Sequence, residues 1–190
     1  MKKIPTLFTR VFEGHKIIDI TPEITAGCEE AFLNGKATIK WDGTCCAFID
    51  GVYYKRYDAK KGKKPPFGAI PCCDPDPVTG HHPHWVAVDH TNPDDKWFTK
   101  ALEHYIAVHG GQPEDGTYEL IGKKINGNPY GMSDHQLIRH GNAEVPVKRD
   151  FDSIRDWLET THVEGLVFWL NDEPVCKIKR TDFGFKWPIK

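Results

Sequence analysis

No stretch of the chain is long and apolar enough to read as a membrane helix. The opening MKKIPTLFTR soon meets Glu13, Lys16 and Asp19, so it does not read as a secretory leader either, and a cytoplasmic protein without a membrane partner is expected. Neither sign of charge is in large excess: 25 Lys and Arg against 27 Asp and Glu leave a formal charge of -2. That removes any global attraction to a polyanion, and a nucleic-acid surface would have to be a local patch. A disulfide framework is also missing. The six cysteines are Cys28, Cys45, Cys46, Cys72, Cys73 and Cys176; adjacent cysteines are poor candidates to bridge each other, and reduced thiols are expected. No internal repeat is evident. What remains is 190 residues, 39% of them apolar, enough for one domain with a core of ordinary size.

Local patterns predict the elements. TPEITAGCEEAFLNG reads as a helix capped at Thr21-Pro22 and stopped at Asn34-Gly35, with Ile24, Cys28 and Ala31 or Phe32 inward. KATIKWDG reads as a strand, and CCAFIDGVYYKRY as a hairpin turning at Asp50-Gly51. From Asp58 to Trp85 glycine, proline and charge dominate, which predicts a long surface loop, with HWVAV a short strand at its end. DDKWFTKALEHYIAVHG is a helix with Trp97, Ala101, Leu102 and Tyr105 inward. GTYELIGKK is a strand, DFDSIRDWLETTH a helix facing inward through Phe151, Ile154, Trp157 and Leu158, and GLVFWLNDEPVCKIKR a hairpin turning near Asn171-Asp172. Mixed strands with packed helices make this one α+β domain spanning 1–190.

Some residues do not fit a purely structural reading. Lys40 is followed at once by Asp42 and Gly43; desolvation and nearby cations both favour a neutral lysine amine, the form that attacks phosphorus. Lys177 and Lys179 share strand parity and point the same way. Each lysine alone is compatible with a solvated strand edge. Glu119 lies in an otherwise apolar strand and Glu164 opens another. Lysines with carboxylates make a set able to neutralise phosphates and hold a divalent ion.

The order of these pieces is more specific than any one of them. KWDG at 40–43, YELIG at 118–122, EGLVF at 164–168 and KIK at 177–179 resemble the ordered motifs of the covalent nucleotidyltransferases, and ELIGKKINGNPYG with DHQLIRHG looks closest to compact ATP-dependent RNA ligases. The resemblance spans about residues 36–180. It implies a single nucleotidyltransferase (adenylation) domain with mixed or antiparallel sheets, which uses ATP with Mg2+, or Mn2+ as a substitute, to join RNA 5'-phosphate and 3'-hydroxyl ends. Lys40 would carry AMP; Ile39, Asp42 and Gly43 would complete its motif. Arg56 would contact ribose or phosphate, Glu119 the ribose, Phe151 the adenine, Glu164 the metal, and Lys177 and Lys179 the phosphates. DNA is the less expected partner.

Many relatives append a carboxy-terminal oligonucleotide-binding domain; after Lys179 this chain shows only RTDFGFKWPIK, so none is expected. Lys55, Arg56, Lys60, Lys61, Lys63 and Lys64, interleaved with Tyr53, Tyr54 and Tyr57, form a candidate nucleic-acid surface. Cys72 or Cys73 with His81, His82 or His84 is a candidate zinc set without clean ligand spacing. The competing functions are a GTP-dependent capping guanylyltransferase, a DNA ligase and a noncatalytic nucleic-acid-binding module.

Overall fold

The computed structural model describes residues 3–14 and 16–189. In chain order the elements are β1 (Phe8–Glu13), β2 (Lys16–Ile24), α1 (Glu29–Asn34), β3 (Lys36–Lys40), β4 (Thr44–Ile49), β5 (Val52–Ala59), β6 (Ile70–Pro71), β7 (His82–Ala87), α2 (Lys96–His109), β8 (Gly116–Ile121), β9 (Gln136–Arg139), α3 (Phe151–Thr160), β10 (Gly165–Leu170) and β11 (Glu173–Lys179). Every ladder between these strands is antiparallel, which agrees with the expected α+β class. None of the described helices is long and apolar enough to cross a membrane. Contacts group the chain into two units, one built on Gly43–His140 and the other on Ile4–Asp42 with the residues from Gly141 onward. The KWDG motif is cut by this division, between Asp42 and Gly43.

The unit on Gly43–His140 is a six-stranded sheet in the order β6-β7-β5-β4-β8-β9. Its central hairpin turns at Asp50 (φ 51) and Gly51 (φ 72), both in the left-handed region that a tight two-residue turn demands. Alternation along the strands sends Cys46, Phe48, Tyr53, Tyr118 and Leu120 to one face, where Ala101 is buried and Trp97, Leu102 and Tyr105 of α2 pack against them. Gly110, left-handed at φ 75, ends α2. The opposite face therefore receives Cys45, Arg56, Thr117 and Glu119.

In the other unit a three-stranded sheet, β11-β10-β3, is covered by helices and a hairpin. Its core gathers Leu7, Phe8, Cys28, Phe32, Ile154, Leu158, Leu166, Phe168 and Ile178. Asp150 caps α3 by accepting a hydrogen bond from the Ser153 N–H at 2.8 Å. The far end of α3 meets Arg180, which donates to the Leu158 carbonyl and, at 2.9 Å, to the Thr161 carbonyl, placing a buried cation on the negative end of the helix. The last hairpin turns at Asn171 (φ 51) and Asp172 (φ 60) as expected.

One reading is corrected, and one element lay outside the expectations. The helix expected from Thr21 starts only at Glu29: Thr21–Ile24 stay extended because Ile24 pairs with Phe8 in the β1–β2 ladder, and Gly27, at φ +85, turns the chain before the helix. The β1–β2 hairpin itself was not anticipated, since Phe12, Ile17 and Ile18 are exposed apolar residues that blur the alternation.

Candidate active site

Strand register builds the lysine cluster. Gly165, at the start of the central strand β10, lies opposite Lys40 of β3 on one side and Lys179 of β11 on the other. A methyl group on Gly165 would sit 2.1 Å from the Ile178 carbonyl oxygen, so only glycine permits this approach. Glu164, immediately before it, is 8% exposed and takes both flanking lysines: Lys40 Nζ donates to Oε2, and Lys179 Nζ lies 3.0 Å from Oε1. Asp182 fixes the end of β11, accepting from the Lys179 backbone N–H at 2.8 Å and pairing with Arg10 of β1.

Lys177 completes the cluster. Burial first, then the charges of Lys40, Lys179 and Arg10, pull its ammonium down from 10.5 to about 8, against the opposing pull of Glu164. Three lysines around one carboxylate leave a surplus of positive charge, which is the electrostatic signature of an anion site. Glu164 already engages a lysine with each oxygen, so this cluster is not a preformed cage for a cation.

The unit on Gly43–His140 holds a second group on the sheet face opposite α2. Cys45 of β4 is directly across from Glu119 of β8. Glu119 Oε1 accepts from the Gly43 N–H at 3.0 Å, and Oε2 lies 2.9 Å from His140 Nε2. The other ring nitrogen of His140 is 3.0 Å from the Thr117 hydroxyl. A side chain at Gly43 is barred because its first carbon would meet the Leu120 carbonyl oxygen at 2.2 Å. Burial, reinforced by Glu119, pushes the Cys45 thiol up to about 12. On β5, Arg56 pairs with Asp58 at 3.3 Å, while its Nε is buried with no hydrogen-bond partner among the described residues; a buried guanidinium N–H left over is one that a ligand oxygen would satisfy.

Of the remaining expected site residues, Ile39 packs against the core of its unit, and Asp42 accepts from the Trp187 indole N–H at 2.8 Å. Phe151 packs edge-on against Phe8 and Phe183, with ring centres 4.9 and 5.3 Å away, contacts that belong to the core of its unit. Within the expected basic stripe, Tyr53 is buried and stacked on Phe48, and Lys55 pairs with the buried Asp95. Strand alternation turns these two toward α2 and leaves Tyr54 and Arg56 on the other face; Lys60, Lys61, Lys63 and Lys64 are exposed. The cysteines are free thiols, as expected. The set of Cys72 or Cys73 with His81, His82 or His84 does not assemble: among the described residues only Cys45, Glu119 and His140 bring three ligating groups together.

Sequence reasoning passed over His140, Arg10 and Asp182. Each acts through a partner distant in sequence, and only strand register reveals the pairing. His140 stood inside the quoted DHQLIRHG, where its position just after a strand was the one available signal.

A family model described as RNA ligase 1 matches residues 107–190, the stretch that carries Glu119, His140, Glu164, Lys177 and Lys179. RNA ligase 1 of Danio rerio is 34% identical over 139 residues, covering 58% of this chain and 43% of that protein. RNA ligase 1 of Pongo abelii is 28% identical over 142 residues with the same shares, and that of Mus musculus 28% over 140 residues, covering 58% and 42%. The chain thus spans less than half the length of the curated relatives it matches. By sequence, then, the chain is similar to the RNA ligase 1 proteins, which agrees with the RNA-ligase resemblance of the ordered motifs.

Proposed function

We propose that the chain is an ATP-dependent RNA ligase that joins 5'-phosphate and 3'-hydroxyl RNA ends through AMP carried on Lys40. The observation that carries the reading is the cluster of Lys40, Lys177 and Lys179 around Glu164, built on the KWDG and KIK segments. Its surplus positive charge suits a polyphosphate.

In the first step the Lys40 amine attacks the α-phosphorus of ATP; a P–N bond forms, the bond to the bridging oxygen breaks, and pyrophosphate leaves. Lys40 already donates to Glu164, so the carboxylate stands where the amine's proton must go. Lys177 and Lys179 offset charge on the phosphate oxygens. In the second step a 5'-phosphate oxygen of RNA displaces Lys40 from the AMP phosphorus, and the amine regains a proton. In the third, a 3'-hydroxyl attacks the activated 5'-phosphate and AMP departs. By the family resemblance Arg56 would meet a ribose or phosphate oxygen, which its unsatisfied Nε supports, and the Glu119 carboxylate a ribose hydroxyl. Glu164 is the carboxylate of the lysine cluster that would hold Mg2+ or Mn2+, and only by giving up one of its lysine contacts; such an ion would neutralise phosphate charge.

The test is joining of end-labelled RNA nicks and single-stranded RNA with ATP or GTP, alongside DNA nicks of the same sequence. RNA joined with ATP supports the reading. Joining with DNA alone, or use of GTP alone, would replace it with one of the competing activities.

A further inference from the structure

We propose that Cys45, Glu119 and His140 form a binding site for a divalent transition-metal ion of the zinc class. One ligand atom from each lies within 4.8 Å of the others. A tetrahedral zinc ion with bonds of about 2.0–2.3 Å needs its ligands roughly 3.3–3.8 Å apart, so Glu119 Oε2 and His140 Nε2, now 2.9 Å apart, would open slightly to admit the ion in place of their hydrogen bond, and Cys45 would complete the set from within 4.8 Å.

The backbone sets this arrangement. Cys45 and Glu119 face each other across the β4–β8 ladder, and His140, just past β9, is tied to β8 by its N–H, which donates to the Thr117 carbonyl at 3.0 Å. Two ligands also have outer partners, which metal sites use to orient ligands. The Gly43 N–H holds the second oxygen of Glu119 at 3.0 Å. His140 Nδ1 is 3.0 Å from the Thr117 hydroxyl; when Nε2 binds the ion, its proton moves to Nδ1 and is donated to that oxygen. The donor set favours zinc or cobalt over magnesium, because thiolate and imidazole are softer than carboxylate and water. The thiol loses its proton on binding, and one thiolate with one carboxylate balances the charge of the ion.

None of these residues belongs to the lysine cluster. Glu119, however, is the carboxylate given above to the nucleotide ribose; on that reading, metal and nucleotide compete for it.

Metal-free protein titrated with Co2+, with no nucleotide or RNA present, tests the site. The expected result is one equivalent bound, with a near-ultraviolet thiolate-to-cobalt band that Cys45→Ser abolishes and the double variant Cys72→Ser, Cys73→Ser retains. His140→Asn is expected to weaken Co2+ binding by about tenfold or more while keeping the thiolate band. No thiolate band in folded wild-type protein, or a band that survives in Cys45→Ser, overturns the site. If Cys45→Ser does not fold, unchanged Co2+ affinity in His140→Asn overturns it. Because the readout is optical and free of substrate, failure here and failure of RNA joining are separate results.

Discussion

Lys177 offers a quantitative test of the anion site. With its pKa at about 8, roughly a quarter of Lys177 is neutral at about pH 7.5 and roughly three-quarters at about pH 8.5. A polyphosphate seated among the lysines supplies the missing counter-charge and returns Lys177 toward its ordinary value. Binding therefore takes up roughly 0.2 proton at the lower pH and roughly 0.8 at the higher, and affinity weakens by about threefold between them. Calorimetry with ATP in the absence of divalent metal, repeated in buffers of different ionisation enthalpy, reads this uptake. Lys177→Met serves as the reference that removes protons belonging to ATP itself. The sign for folding follows the same logic: the unfolded chain keeps the lysine proton up to about 10.5 while the folded chain releases it near 8, so stability rises across that window and the gain is absent from the variant. Equal proton uptake by both proteins, or uptake that does not rise with pH, would refute the placement of Lys177 in an anion site.

Other substitutions probe the scaffold of the cluster. Glu164→Gln removes the charge that holds Lys40 and Lys179; since both lysines keep some solvent contact, the loss is about 2 kcal/mol, read as a lower urea midpoint at unchanged slope. Gly165→Ala forces a methyl group against the Ile178 carbonyl and costs about 2 kcal/mol or more, visible as a fall in Tm; an unchanged Tm would show that the β10–β11 spacing is wider than described. Arg180→Met strips the carbonyls at the end of α3 of their buried donor and destabilises by about 3 kcal/mol, checked by chemical denaturation against Arg180→Lys, which restores part of the loss.

What could be read in the sequence was local. Asp50-Gly51 and Asn171-Asp172 announce their turns because the residues that tolerate left-handed backbone are those in the turn. Lys177 and Lys179 share a face because strand parity is a two-residue rule, and α2 and α3 carry their apolar stripes in their own windows. The meeting of Lys40, Glu164 and Lys179 is different. It depends on Gly165 aligning three strands whose residues are more than a hundred positions apart in sequence from β3, and only the order of the motifs hinted at it. Thr21-Pro22 carried a sound helix-start signal that lost to ladder pairing with β1. Tyr53 and Lys55 looked like part of a basic aromatic stripe because a linear run hides which alternate residues face the helix. His140 carried no signal of its own partner, since Glu119 becomes its neighbour only through the β8–β9 register.

Lys40 is the proposed nucleophile, and intact mass after incubation with ATP and Mg2+, followed by peptide mapping, reads its adduct. An added AMP confined to the peptide containing Lys40, lost in Lys40→Arg and not replaced by GMP when GTP is supplied, is the predicted result. Folded protein that gains no AMP, or that gains it on another residue, would contradict the claim.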